Sequence, residues 1–441
     1  MMIKIRRTLL VLIALLLAAS IAGSVQSDSS TIDVITIKGT INPVLVDYVK
    51  RGIEQAEDSY AEALVIQMDT PGGLDTAMRD IIQHIVNSRV PVVVYVAPSG
   101  ARAASAGLYI LQSAHVAVMA TNTATGAATP ISLGEGGESQ MSDELKAKII
   151  NDATAYIRSL AESHGRNTEW VEKAVLEGVS VTEQEALELN VIDMVAPNLE
   201  TLVTQLDGRQ VTLLGGREVT LQTKDATLNS VGMKAIRKFL YTIADPNIAY
   251  LLLSIASLGI MAEIFNPGLF FPGIIGAISG ILAFYALGQL PVNIAGILLI
   301  LLAFGLFVGE VLTTSFGLFT IGGVVSLVIG SLILFQGASP VFRVDPWLIA
   351  GVTIVIAGAF AFIVNRAIVA HHRQAKTGWE ELIGKTAVVK VALNPEGTVF
   401  LKGERWSATS EEGLVKPGEE VVINKIDGLM LYVSKKEEGS K

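Results

Sequence analysis

The sequence predicts a multidomain chain: an α/β domain first, an α-helical membrane bundle next and a small all-β barrel last. Three observations predict it. Strand-like and helix-like segments alternate from Thr31 to about Leu221, nearly every residue from Asn247 to Ala370 is apolar, and short β runs separated by turn pairs fill Gly384 to Lys435. Of 441 residues, 51% are hydrophobic and only 17% charged, too apolar for a soluble chain of this size. We bound the domains at 31–225, 247–370 and 380–436.

Ahead of them, Lys4, Arg6 and Arg7 precede the apolar run Thr8 to Ala19, and small residues follow through Ala22, Gly23 and Ser24. Charged start, apolar centre and small-residue exit make residues 1–24 a secretory signal, cleaved after Ala22 or Ser24 or else retained as an anchor. The chain has no cysteine, so no disulfide supports an exported domain, and redox chemistry does not identify the compartment.

Ile32 to Ile37 opens the α/β domain as a strand, and a helix follows around Val44 to Glu57. Ala63 to Asp69 is a buried strand that runs into Pro71-Gly72-Gly73 and a helix from Thr76 to Val86; glycines there let a backbone amide turn toward a ligand. Val90 to Val96 is a continuous β-branched run, the pattern of a strand buried on both faces of a parallel sheet. It ends in Ala97-Pro98-Ser99-Gly100, after which Ala103-Ala104-Ser105-Ala106-Gly107 leads into a helix. Ser105 is thereby expected at a helix N-terminus, where unpaired N–H groups favour developing negative charge. Leu133 to Ser139, rich in glycine and acid, is expected to be a mobile loop that gates a groove or simply connects two segments. Val179 to Leu187 enters a capped helix, with Thr182 as N-cap and Glu185 three residues on.

A serine hydroxyl needs a base to take its proton and N–H donors to hold the oxyanion it creates. Of five histidines, His371 and His372 follow the apolar block, and His115 lies at the far end of the serine helix, roughly 15 Å away. His84 and His164 are brought near only by folding. A lysine serves when desolvation favours its neutral form. Lys146 and Lys148 lie in the helix Asp143 to Glu162, whose apolar residues Ile149, Ile150, Ala153, Ile157 and Leu160 put Lys148 nearer the buried edge. Asp152, one turn further on, opposes that role, because an ion pair favours the ammonium form.

Ser99-Gly100-Ala101-Arg102-Ala103-Ala104-Ser105-Ala106-Gly107-Leu108-Tyr109-Ile110, Gly126-Ala127-Ala128-Thr129-Pro130, Lys148-Ile149-Ile150-Asn151-Asp152-Ala153 and Ala155 to Ala161 resemble the long NfeD-type membrane-bound serine proteases. These are similar in fold to the Clp protease and to signal peptide peptidase A, and the resemblance covers nearly the whole chain. It implies Ser105 as nucleophile, Lys148 as base through the Lys-x-x-Asn pattern, and the amides of Gly73 and Ala106 as oxyanion hole. Leu108 departs from the small or hydroxylated residue expected there, which narrows access without removing a catalytic group. The resemblance further implies hydrophobic stretches of membrane-associated proteins as substrates, stomatin- or flotillin-like proteins as partners, and self-association. No cofactor or metal is expected. Two other classes stay open: a noncatalytic scaffold that organises partners in the bilayer, and acyl-CoA chemistry on the related crotonase fold.

Five spans are expected in the membrane block, Asn247 to Phe265, Pro272 to Leu290, Val292 to Gly309, Phe316 to Phe335 and Trp347 to Ile368, each near the ~20 residues that cross a bilayer. Glu263 and Glu310 fall close to span ends, where an acid is tolerated. An exported serine domain followed by an odd number of crossings returns the C-terminus to the cytoplasm, in keeping with Arg366, Arg373 and Lys376 after the last span; Pro291 joins two segments almost without a loop, which leaves an even number open. Lys234, Arg237 and Lys238 before the first span run against this placement, but they follow a long translocated domain, for which the charge rule is weak, and are expected against anionic headgroups. The last domain has five short β runs set apart by Asn394-Pro395, Lys416-Pro417-Gly418 and Asp427-Gly428, and resembles the NfeD C-terminal OB-like barrel. Few aromatics and a net charge of −9 argue against nucleic acid and for an interaction module.

Overall fold

In the computed structural model, residues 30–130, 142–268, 270–313, 317–335, 340–372 and 379–436 are described. The signal segment 1–24 and the loop 133–139 lie outside them, as do Arg373 and Lys376. The chain divides into two units, Met1–Ala359 and Phe360–Lys441.

The α/β domain comprises β1 (Thr31–Lys38), α1 (Pro43–Asp58), β2 (Ala63–Asp69), α2 (Asp75–Val86), β3 (Val92–Val96), β4 (Arg102–Ala104), α3 (Ala106–Ser113), β5 (Val116–Met119) and β6 (Ala124–Gly126). It continues through α4 (Asp143–Ser163), α5 (Thr168–Leu176), β7 (Ser180–Thr182), α6 (Glu183–Glu188), β8 (Met194–Val195), α7 (Leu199–Leu206), the β9–β10 hairpin (Gln210–Leu213, Arg217–Thr220) and β11 (Thr227–Ser230).

Six strands form a parallel sheet in the order β11-β1-β2-β3-β5-β8. Both faces of its inner strands are buried. Leu64, Ile66 and Met68 of β2 point into one apolar cluster, and Ala63 and Val65 into the other. In β3 the alternation repeats, with Val92, Val94 and Val96 on one side and Val93 and Tyr95 opposite. Each fully buried valine, leucine or isoleucine contributes about 1.5–3 kcal/mol, so these two strands anchor the loops that leave them. Thr182 and Glu185 make the expected capping box. Strand β11, just past residue 225, pairs with β1 at the sheet edge; it is exposed throughout and lacks the apolar run that marks a buried strand.

After α8 (Ala235–Ile243) come five apolar helices, α9 (Pro246–Phe265), α10 (Phe271–Gly288), α11 (Ile294–Leu312), α12 (Leu318–Ile333) and α13 (Pro346–His372). Among the described residues, α9, α10 and α11 are long and apolar enough to cross a membrane, whereas α12 and the stretch Pro346–Phe362 are shorter apolar helices. Arg237 of α8 pairs with Asp47 of α1 at 2.8 Å, so a protein carboxylate holds this cation where a lipid headgroup was expected. Tyr241 Oη donates to the Lys38 carbonyl at 2.8 Å, a second tie between α8 and the α/β domain.

The helix pairs α9–α10 and α11–α12 repeat one another in sequence and contact. Both begin Asn-Ile-Ala (Asn247-Ile248-Ala249 and Asn293-Ile294-Ala295), and both carry a glutamate near the end of the first helix, followed by Gly-Leu-Phe. Glu263 accepts the Gly268 N–H at 3.2 Å; Glu310 accepts those of Gly317 at 2.8 Å and Thr320 at 2.9 Å. These acids tie helix connections, in keeping with their places near the helix ends.

In the second unit, β12 (Thr386–Val391), β13 (Glu396–Leu401), β14 (Glu404–Ser410), β15 (Glu420–Asp427) and β16 (Met430–Lys435) close a barrel in the order β12-β13-β14-β16-β15. Val389, Val399, Val421, Leu431 and Val433 fill its interior.

Candidate active site

Two strand-to-helix turns converge at the C-terminal edge of the parallel sheet. Thr70, just past β2, donates its amide to the Arg102 carbonyl at 2.8 Å and accepts from Ala104 N at 3.1 Å, which fastens the Gly72-Gly73 turn to the strand leading into Ser105. The Thr70 hydroxyl also accepts the Gly72 N–H at 3.0 Å.

Ser105 is the N-cap of α3, as the sequence led us to expect, and adopts φ 54° and ψ −118°. A non-glycine residue in that region is strained, and the surroundings hold it there: Ser105 N donates to the Gly126 carbonyl at 2.9 Å. Its hydroxyl makes no capping bond to its own helix. The first amides of α3, Ala106 among them, have no partner within the helix. Gly72, at φ +112°, lies so close that a Cβ on it would stand 2.7 Å from Ser105 Cβ and 3.1 Å from Oγ. A Cβ on Gly73 would stand 2.1 Å from the Ile41 carbonyl oxygen. The contact between Ile41 and this turn uses the Gly72 carbonyl and the Leu74 amide, on either side of Gly73.

Ser105, Ala106, Gly73 and Lys148 all line one cavity of about 460 Å³. No described histidine lines it. His115 is buried elsewhere, its Nδ1 accepting the Val92 N–H at 3.1 Å and its ring edge-on to His164, with centroids 6.2 Å apart. Burial, with His164 and Arg166 adding to it, pulls the His115 pKa down to about 4.

Lys148 stands differently from the expectation that it lies near the buried edge. Its side chain is 70% exposed, and Nζ pairs with Glu144 at 2.9 Å. The physical reason is the register of α4, whose buried positions begin at Ala153, so its first two turns overhang the cavity. The expected Asp152 pairing with Lys148 is replaced. Asp152 Oδ2 is held by Arg79 Nη2 at 2.5 Å, while Arg79 Nε binds Asp75 at 2.9 Å and its guanidinium covers the Tyr156 ring at 4.5 Å. Burial lowers the Arg79 pKa, but the two carboxylates outweigh it and the net direction is up.

The cavity's other walls are apolar, among them Leu74, Met78, Tyr109 and Ile149, with Phe342 from the far end of the membrane helices. Sequence reasoning missed Arg79 and Phe342. The i,i+4 spacing of Asp75 and Arg79 was a usable signal for the first; nothing local marked the second.

Beneath the serine helix, Arg166 caps its other end. The side chain is 1% exposed and donates to the carbonyls of Gln112 at 2.8 Å and Ala114 at 2.7 Å, and to Asp193 at 2.8 Å.

Over 99% of its length the chain is 39% identical to the membrane-bound protease PH1510 of Pyrococcus horikoshii, whose whole length it spans, and an NfeD integral membrane domain matches residues 247–366. It belongs to the NfeD family. The NfeD1b N-terminal domain matches residues 31–212, and the NfeD-like C-terminal, partner-binding domain matches 380–435. A second NfeD relative, the membrane protein NfeD1b of Bacillus subtilis, is 27% identical over 98% of this chain and 99% of its own. Among solved structures, a mutant of the 1510-N membrane-bound stomatin-specific protease in complex with a substrate peptide is 36% identical, covering 49% of this chain and 98% of its own, with a TM-score of 0.45. The NfeD membrane domain and the apolar helices make this chain a membrane protein.

Proposed function

We propose that this NfeD protein is a membrane-anchored serine endopeptidase with a Ser105–Lys148 dyad. One observation carries the reading: Ser105, Lys148 and the residues whose amides suit an oxyanion, Gly73 and Ala106, open onto one cavity. Membership in a family with a relative named as a membrane-bound protease supports it.

In this mechanism, neutral Lys148 Nζ takes the Ser105 Oγ proton and Oγ attacks the peptide carbonyl carbon. The Gly73 and Ala106 N–H groups hold the oxyanion. The Lys148 ammonium then gives its proton to the leaving amine, which departs with the C–N bond pair and leaves an acyl-enzyme. Water attacks the ester with Lys148 again as base and releases the acid. Lys148 must exchange Glu144 for Ser105 before the first step, and substrate filling the cavity drives that exchange by excluding water.

The apolar walls suit hydrophobic segments of membrane-associated, stomatin- or flotillin-like proteins, and the C-terminal barrel is the module that engages such partners. The serine domain faces away from the cytoplasm, the barrel faces the cytoplasm, and the chain self-associates. The exposed Lys148–Glu144 pair favours a second reading, a noncatalytic scaffold with the same membrane region and barrel.

A fluorophosphonate probe on the full-length protein, together with cleavage of an apolar peptide, separates the two. Labelling and cleavage that both vanish in Ser105→Ala and Lys148→Ala support the protease. Folded protein that neither labels nor cleaves supports the scaffold.

A further inference from the structure

The wall of the serine cavity is completed from the far end of the membrane region. Phe342 lies in the segment between α12 and α13, yet its ring is only 2% exposed and lines the cavity that holds Ser105 and Lys148. It also lines a neighbouring cavity of about 400 Å³ bounded by Lys38, Thr40, Tyr241 and Asp245, so the ring stands between the two. The segment is tethered. Asp345 N donates to Asn247 Oδ1 at 2.8 Å in the first turn of α9, and Asp345 Oδ1 accepts the Trp347 N–H at 2.8 Å in the first turn of α13. The position of Phe342 is thereby linked to two of the apolar helices.

We propose that Phe342 is a specificity-determining residue whose ring packs against an apolar substrate side chain beside the scissile bond. The proposal rests on the protease reading above. A peptide whose carbonyl carbon meets Ser105 Oγ must set its flanking side chains against the cavity walls. On one side those walls carry Asp75, Arg79 and Asp152; Phe342 belongs to the apolar lining with Leu74, Met78 and Tyr109. Recognition in such a pocket comes from the fit of apolar surface, with a few polar groups fixing orientation. Substrate choice is therefore set in part by the membrane region.

The test uses the full-length protein in lipid discs and peptides that differ only in one flanking residue, Ala, Val, Leu or Phe. For Phe342→Ala, kcat/KM for the best bulky apolar peptide falls by about tenfold or more relative to the Ala peptide, while fluorophosphonate labelling of Ser105 persists. Phe342→Leu, which keeps the buried packing, shifts the ranking in the same direction by less, and decides the matter if the alanine variant does not label. Unchanged ranking with labelling intact overturns the proposal and leaves the protease reading standing. A wild-type protein that neither labels nor cleaves overturns both.

Discussion

Arg79 binds Asp152 across the serine cavity, and in doing so engages the acid one helical turn from Lys148. An opposite charge beside a lysine favours its ammonium form, which is useless as a base. Around Lys148 stand Glu144 and Asp152 on its own helix, and Asp75 and Arg79 on α2. Replacing Arg79 by Gln releases Asp152 to compete with Ser105 for Lys148. On the protease reading, kcat/KM for an apolar peptide is expected to fall by about tenfold in Arg79→Gln and to recover in part in Arg79→Gln/Asp152→Asn. Values equal to wild type in both variants dismiss this positioning role.

Gly72 is one of the positions where the site tolerates no side chain. A Cβ there meets Ser105 itself, and φ +112° already disfavours any L-residue. Gly72→Ala is expected to slow fluorophosphonate labelling by about 10²-fold through displacement of the hydroxyl, with a stability loss of about 1–2 kcal/mol. Labelling rates beside urea midpoints check both parts.

His115 makes the α/β domain acid-sensitive without taking part in the chemistry. Its folded pKa of about 4 lies below the 6.5 of an unperturbed histidine, so the unfolded chain binds the proton first. The stability is whole above pH 6.5 and drains away as pH falls from 6.5 through 4, by up to about 3 kcal/mol. Urea titrations at pH 7.5 and 4.5 measure the difference. In His115→Gln, which keeps an acceptor for the Val92 N–H, that difference shrinks.

Arg166 joins the C-terminus of the serine helix to Asp193. Arg166→Met leaves the carbonyls of Gln112 and Ala114 without this donor and the Asp193 carboxylate with the Ala117 amide and Arg209 alone, and is expected to cost about 3 kcal/mol. Arg166→Met/Asp193→Asn recovers part of the loss. Thermal melts of the two variants test the order.

What the sequence made legible follows the range of the forces involved. The buried strands 63–69 and 92–96 announce themselves because a parallel sheet covered on both faces demands continuous apolar runs. Thr182 and Glu185 are legible because a capping box is local. The helix-start position of Ser105 was legible from the small residues around it, where Gly72 makes a close approach. The choice of Lys148 between Glu144 and Asp152 was not legible, since it depends on Arg79 in another helix. Phe342 reaches the cavity through tertiary packing of the membrane helices, and β11 pairs at a polar sheet edge with no pattern to announce it.

The doubled helix pairs, each with Asn-Ile-Ala at its start and a glutamate-clamped Gly-Leu-Phe corner, make the membrane region modular. A helical hairpin enters and leaves a layer on the same side, so losing or gaining one copy changes the girth of the anchor without swapping the faces on which the flanking domains emerge.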